Sequence, residues 1–426
     1  MTRTRSPQQC RQMAAAPSTD DPELRLDRDR TDLHSLRAAD PQLDELSSRI
    51  QLTAAAGAVE LLLRDDAARV ATLSGQRILV TGSAGYLGAT LCLALGGLGA
   101  EAVGLDVVAG DTVNIEGNVA DAEAVRAAVA GCSGVLHTAA RHAPHATHYH
   151  ESEFIATNVT GTQNILDAAA AAAGIPVVHT STTSLTITKR VKSAEKAGQL
   201  VWLDETVQPP VPPTDADDPA EAPRNKYGRS KLEGERRCVA AAAAGLPCVI
   251  LRISRCFPED VLPDSVTDAA AALSSPNLKA NELLGRRSAL VDIITGHLRA
   301  LTRASEPSVR GRVFTLSAPF PWSKAATPTE GAAFLAFLQA ERPDLSDLYA
   351  TLGWSLPVDV GRVCVHTQSA VACELRPSIW VLFLKGCLCF QVRLLARCGV
   401  AGLGAPVYLR SDGGGAGGEA GGGCWD

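Results

Sequence analysis

The chain has no C-x-x-C pair among its twelve cysteines, no surplus of base over acid, and no apolar run long enough to span a bilayer. Each absence closes a class of function. Forty basic residues against forty-six acidic ones leave a formal charge of −6, without the basic excess that neutralises a phosphate backbone, so nucleic acid is not an expected partner. Six of the cysteines, from Cys364 to Cys424, crowd the last 63 residues without paired spacing, a usage that suits a reducing compartment; a cytoplasmic protein is expected. The most apolar segment, IWVLFLKGCLCF at 379–390, is about half the length a transmembrane helix requires and contains Lys385, so no membrane span is expected. A secretory apolar run is also missing. The first nineteen residues carry Arg3, Arg5 and Arg11 and no acid, which leaves a plastid or mitochondrial address as the alternative.

What is present begins at QRILVTG. From there, short apolar runs (RILV, EAVGLD, GVLHTA, PVVHTS, PCVILR) alternate with alanine-rich helical segments. Continuous rather than alternating apolarity suits strands buried on both faces, and intervening helices are what parallel neighbours require. The expected fold is α/β: a doubly wound parallel Rossmann sheet with a smaller C-terminal substrate lobe. The expected organisation is a polar leader over 1–75 with one helix around 54–72, a dinucleotide-binding domain over 76–255, a substrate lobe over 256–363, and an extension of uncertain structure over 364–426. Within the second of these, a polar insert at 188–224 rich in proline and acid reads as an exposed loop or flap. Helices are expected near 265–274, 288–304 and 328–340, with a strand at RGRVFTLS.

The turn after the first strand, in RILVTGSAGYLGATLCLAL, places Gly82, Gly85 and Gly88 between a buried strand and a helix that opens at Tyr86 and Leu87. Glycines there permit a tight turn and close approach of backbone to a pyrophosphate, whose charge meets free N–H groups at the helix start. The next strand ends in Asp106, eighteen residues beyond Gly88. A carboxylate at that end accepts both ribose hydroxyls of an adenosine and repels a 2′-phosphate, so NAD is preferred to NADP. Further on, NKYGRSK places Tyr227 and Lys231 four apart on one helix face. Removing a proton from an alcohol as hydride leaves its carbon needs a base, and a free phenol with pKa near 10 must shift by about three units, roughly 4 kcal/mol. A cation about 4 Å away at an effective dielectric of about 20 is worth a similar amount, so Lys231 is expected to lower the Tyr227 pKa.

With these motifs in order, TGSAGYLG, HTAA, NVTGT, HTSTTS, YGRSK and LRISRCFPED, the stretch from about Arg77 to about Ser317 resembles the extended short-chain dehydrogenase/reductases, the group of NAD-dependent sugar epimerases and dehydratases. The resemblance implies a Rossmann domain with bound NAD, often in a homodimer built from two long helices per subunit. It implies Tyr227 as acid/base and Lys231 as its electrostatic partner, bonded also to the nicotinamide ribose. It puts the hydroxyl that polarises the substrate oxygen on Thr182, with Ser181 as competitor if the register slips. Ala139 and Ala140 would touch the cofactor through backbone, and Asn158 would support the active-site hydrogen bonds. Two departures bear on substrate. Thr183-Ser184 stand where dehydratases of the group carry Asp-Glu, which disfavours sugar 4,6-dehydration, and Arg255 stands where many nucleotide-sugar enzymes carry Asn.

Four of the nine histidines (His142, His145, His148 and His150) follow the fourth strand. Their spacings match no standard zinc pattern, so no metal is expected. The loop leaves the carboxyl edge of the sheet, where ligands sit, and His142 and His145 are read as a substrate-facing rim, complemented by Arg255, Arg286 and Arg287. The expected function is an NAD-dependent epimerase or oxidoreductase acting on a secondary alcohol of a carbohydrate-like small molecule. The alternative is a dinucleotide-binding regulatory or scaffold protein without turnover, against which retention of Thr182, Tyr227 and Lys231 together weighs.

Overall fold

A computed structural model describes residues 41–142, 149–197, 199, 201–203, 223, 225–254, 256, 288–317, 327–328, 331–341, 343, 347, 350–351, 353 and 363–365. The strands are β1 (Arg77–Thr81), β2 (Glu101–Asp106), β3 (Ile115–Glu116), β4 (Gly134–His137), β5 (Val177–Thr182), β6 (Val201–Leu203), β7 (Cys248–Ile253), β8 (Val313–Leu316) and β9 (Val363–Val365). The helices are α1 (Pro41–Asp65), α2 (Ala67–Val70), α3 (Tyr86–Gly97), α4 (Ala122–Val129), α5 (Glu151–Ile155), α6 (Gly161–Ala171), α7 (Lys189–Lys196), α8 (Lys226–Ala243), α9 (Leu290–Arg303) and α10 (Gly331–Glu341).

Seven strands form one sheet in the order β3-β2-β1-β4-β5-β7-β8, every neighbouring pair parallel. The order reverses between β1 and β4, and the crevice above their carboxyl ends is where such sheets bind ligands. Successive residues of β1 serve opposite layers. Ile78 and Val80 join a core with α1, α3 and α9, whereas Leu79 joins one with α4, α6 and α8. This two-sided burial is why the strands read as unbroken apolar runs.

Helix α3 is apolar nearly all round and needs cover on the side away from the sheet. Helix α1 supplies it, burying Ala54, Ala55, Ala58, Leu61 and Leu62, with Leu62 wholly inaccessible. At Gly97 a Cβ would lie 3.0 Å from Val59 Cγ2, so the two helices approach closely. The leader expected over 1–75 is corrected accordingly: the helix begins at Pro41 rather than near 54, and it belongs to the sheet's core. The boundary expected at 255 is corrected as well. Strand β8 pairs with β7, and α9 buries Ile294, Leu298 and Leu301 in the same core as α3, so residues 288–317 extend the sheet domain and are no separate lobe.

By contacts the chain divides into compact units Met1–Pro377 and Ser378–Asp426. The second unit, the helix expected at 265–274 and most of the 188–224 insert lie outside the described residues. The described ends of that insert form an isolated bridge between Thr188 and Pro223, and β6 pairs in parallel with β9. No helix among the described residues is long and apolar enough to cross a membrane.

Candidate active site

The turn leaving β1 is built by two glycines for different reasons. Gly82 has φ +72°, and a Cβ there would stand 2.8 Å from Ala139 N, where the segment leaving β4 passes. At Gly88 a Cβ would fall 2.1 Å from Gly82 O, so only glycine lets the first turn of α3 close onto the loop. The helix starts behind Gly85 with no side chain capping it and no acid in its first turn, which leaves its leading N–H groups and dipole for an anion. Asp106, at the end of β2, sits beside the turn: its Oδ2 accepts from Ala84 N at 3.0 Å and its Oδ1 from Val108 N at 3.2 Å. Gly104 shares in this construction, since a Cβ there would meet Thr112 O at 1.8 Å, and Thr112 Oγ1 donates to Ser83 O at 2.6 Å. A backbone cradle closed to any Cβ, an uncapped helix start and a carboxylate one strand away are the donor set a dinucleotide requires. These residues fit NAD.

A buried polar network lies beneath that crevice. His137, the last residue of β4, is bonded through Nδ1 to Thr81 Oγ1 (2.8 Å) and through Nε2 to Thr162 Oγ1 (3.0 Å). Burial pushes its pKa down to about 3, with the Lys231 charge adding to the effect, so the ring is neutral. Thr162 donates to Asn158 O, and Asn158 lies in a single π-helical stretch, Ala156–Thr160, between α5 and α6. Such interruptions commonly mark functional positions. The Asn158 carboxamide is fully committed: Oδ1 accepts from Arg141 N (2.8 Å), and Nδ2 donates to Arg141 O (3.0 Å) and Ser230 Oγ (2.9 Å). One buried amide thus ties the segment after β4 to α8.

Helix α8 opens with Asn225 accepting from Gly228 N at 2.9 Å, a cap that fixes the register of the following turn. Tyr227 and Lys231 are both buried, at 7% and 2% exposure. Thr182, at the end of β5, holds its hydroxyl near enough to Tyr227 to oppose the rise of the phenol's pKa, and its Oγ1 accepts from Ser184 N at 3.1 Å. Thr182 is the hydroxyl that acts on the Tyr227 pKa, while the Oγ of Ser181 is buried without a hydrogen-bond partner among the described residues. Lys231 Nζ donates to Thr180 O at 2.6 Å and lies 3.4 Å from His179 Nε2. Burial lowers its pKa to about 8, with the Glu235 charge among the influences opposing the shift.

The expectation that Lys231 acidifies Tyr227 is corrected. Burial pushes the phenol up to about 12, with only the Thr182 bond opposing it, so at neutral pH this tyrosine keeps its proton. The reason is geometric: the ammonium is turned toward Thr180 O and His179 on β5, and the Coulomb argument left out the cost of burying a phenolate.

Other expected residues are distributed unevenly. His142 is exposed, with its ring centroid 6.0 Å from that of Tyr227. Ala139 donates its N–H to Thr81 Oγ1 at 3.2 Å and lies against Gly82. Ala140 follows it and is half-buried, as are Tyr86 and Leu87 at the start of α3. His145, His148, Arg255, Arg286 and Arg287 lie outside the described residues. Sequence reasoning missed Thr81, Thr162, Ser230 and His179. The last had one available signal, a titratable residue in a strand otherwise continuous in apolar and hydroxyl side chains.

The model of the NAD-dependent epimerase/dehydratase family matches residues 78–304. A 2-alkyl-3-oxoalkanoate reductase of Stenotrophomonas maltophilia (strain K279a) is 32% identical over 185 residues, 41% of this chain and 49% of that protein. The chain therefore matches about half the length of that curated relative. Among solved structures, a short-chain dehydrogenase/reductase superfamily protein from Agrobacterium tumefaciens with bound NAD aligns over 75% of this chain and 98% of its own, at 22% identity and a TM-score of 0.48. A UDP-galactose 4-epimerase aligns over 71% and 93%, at 19% identity and a TM-score of 0.45.

Proposed function

This chain belongs to the NAD-dependent epimerase/dehydratase family, and on that premise we propose that it moves hydride at a secondary alcohol of a carbohydrate-like small molecule through Thr182, Tyr227 and Lys231. The observation that carries the reading is the joint burial of Tyr227 and Lys231 on α8, with the buried Thr182 at the end of β5 acting on the phenol. NAD, when bound, supplies the hydride acceptor and a positive charge. The chain's own groups do the rest. Gly82, Gly85 and Gly88 with Asp106 seat the dinucleotide. Thr182 presents its hydroxyl to the substrate oxygen, and Tyr227, ionised to the phenolate in the loaded site, takes the alcohol proton on Oη as the carbonyl forms and returns it on reduction. Lys231, held by Thr180 O, offers its charge near that exchange. Asn158 keeps the rim of the pocket in place through Arg141, and His142 faces the substrate beside Tyr227.

The curated relative is named for reducing a 3-oxo acid, and the same pair of hydroxyls serves carbonyl reduction equally well, so 3-oxo acids belong in any substrate panel beside polyols and sugar nucleotides. NAD retained without net nicotinamide turnover would favour epimerisation, and accumulating NADH would favour dehydrogenation. Tyr227→Phe is expected to abolish turnover with little loss of NAD affinity, measured by steady-state rates and cofactor titration; retained turnover would reject the assignment. A homodimer is part of the same reading, supported by exposed Ile155 on α5 and Val239 on α8. Sedimentation at the monomer mass would remove it.

A further inference from the structure

His179 takes no part in the proposed proton exchange, yet it stands directly behind Lys231. Its side chain is fully buried on the sheet face that α8 covers, with its ring centroid 5.3 Å from that of His137. The groups facing Lys231 are few. From β5 come His179 Nε2 and Thr180 O, and from β4 the neutral His137. Its own helix supplies Tyr227, Cys238 and Glu235. Glu235 is the one carboxylate among them, and Arg252 on β7 engages both of its oxygens, at 2.9 Å and 2.7 Å, in a pair that is itself buried. Its charge is thereby largely balanced already, which leaves the Lys231 ammonium without a counter-ion of its own among the described residues.

We propose that His179 is a positioning residue of the Tyr227–Lys231 site, its neutral ring accepting from the Lys231 ammonium through Nε2 and so setting the pH at which Lys231 gives up its proton. Hydrogen-bond accounting supports this. A neutral imidazole has one N–H and one lone pair. While Lys231 is charged, an N–H on Nε2 would point at an ammonium, so the proton must sit on Nδ1. That nitrogen is buried and has no partner among the described residues. An unsatisfied buried donor costs about 1–3 kcal/mol, a cost the fold accepts only in exchange for a lone pair aimed at Lys231. Once Lys231 is neutral the ring can reverse its tautomer and donate from Nε2. A second proton on the ring is opposed by burial and by the Lys231 charge.

The inference rests on Tyr227 and Lys231 being the reacting pair, but its test reads Lys231 directly. The chain has eight lysines, few enough that the full-length protein labelled with ¹³C-lysine resolves them, Lys231 being identified by its absence in Lys231→Met. In His179→Phe the Lys231 midpoint is expected to fall by about one pH unit, the worth of one charged hydrogen bond weakened by its length. In His179→Gln, whose carboxamide oxygen restores an acceptor, it returns toward the wild-type value. An unchanged midpoint in His179→Phe, or a His179→Gln midpoint equal to that of His179→Phe, overturns the proposal. Should His179→Phe fail to fold, the His179 ring nitrogens of the wild-type protein decide. Their ¹⁵N shifts should step in register with Lys231, and the step should vanish in Lys231→Met; no step overturns the proposal. The catalytic reading fails separately, if Tyr227→Phe keeps its turnover.

Discussion

Lys231 shows what the site costs the fold at the scale of one residue. Its pKa, held near 8 by burial, lies below the unfolded value of about 10.4. Between those two values the unfolded chain binds more protons than the folded one, so stability rises with pH through this window, and below pH 8 the full penalty applies. The penalty is about 3 kcal/mol. Lys231→Met, similar in shape and uncharged, is therefore expected to stabilise the cofactor-free protein at pH 7, by up to that amount less the loss of the bond to Thr180 O, and to give little gain at pH 10. Urea unfolding at the two pH values measures this, and a variant less stable than wild type at pH 7 would contradict it. Tyr227 carries the complementary lesson. Spacing on the helix was enough to pair it with Lys231, but acidity depends on burial and on where the ammonium points, and neither is written in a five-residue motif.

At the scale of elements, α1 and the π-helical stretch do work that their sequences conceal. The segment 41–65 mixes charge with small residues and reads as a leader, yet its alanines and leucines are what an apolar α3 needs on its outer side. Leu62→Ala is expected to destabilise the sheet domain by about 3 kcal/mol, as emptying a closed core site does. Thermal unfolding followed by circular dichroism checks this, and a change below about 0.5 kcal/mol would return α1 to the status of an appendage. The buried strands, the glycine turn and α8 were legible because each depends on local pattern. Helix α9 and β8 were legible as elements, near 288–304 and at RGRVFTLS, but their membership in the sheet was not, since it rests on pairing Ile250 with Val313 across more than sixty residues of chain. Asn158 could be placed by likeness, but its bonds to Arg141 and Ser230 come from three segments that only the fold brings together.

For the whole molecule, three buried neutral histidines among the described residues bear on acid stability. Burial is the leading cause in each, holding His137 at about 3, His297 at about 4 and His179 well below the usual value. Each folded pKa lies below the unfolded value of about 6.5, so the unfolded chain gains protons first as pH falls, and stability drops from pH 6.5 downward. Between pH 7 and pH 5 the His137 and His297 rings each cost about 2 kcal/mol. His297 accepts from or donates to Thr180 Oγ1 at 2.8 Å, and His297→Gln is expected to recover part of the loss at pH 5 in denaturant titrations; a wild-type protein equally stable at pH 5 and pH 7 would contradict the neutral assignment. The central claim concerns Tyr227, whose phenol is held at about 12 without cofactor and must become acidic when the site is loaded. Ultraviolet difference titration of the NAD-bound protein against its Tyr227→Phe variant tests this without knowledge of the substrate. One tyrosinate forming near neutral pH, present in wild type and absent in the variant, is the predicted result. A Tyr227 that still ionises only above pH 10 with NAD bound would contradict the account.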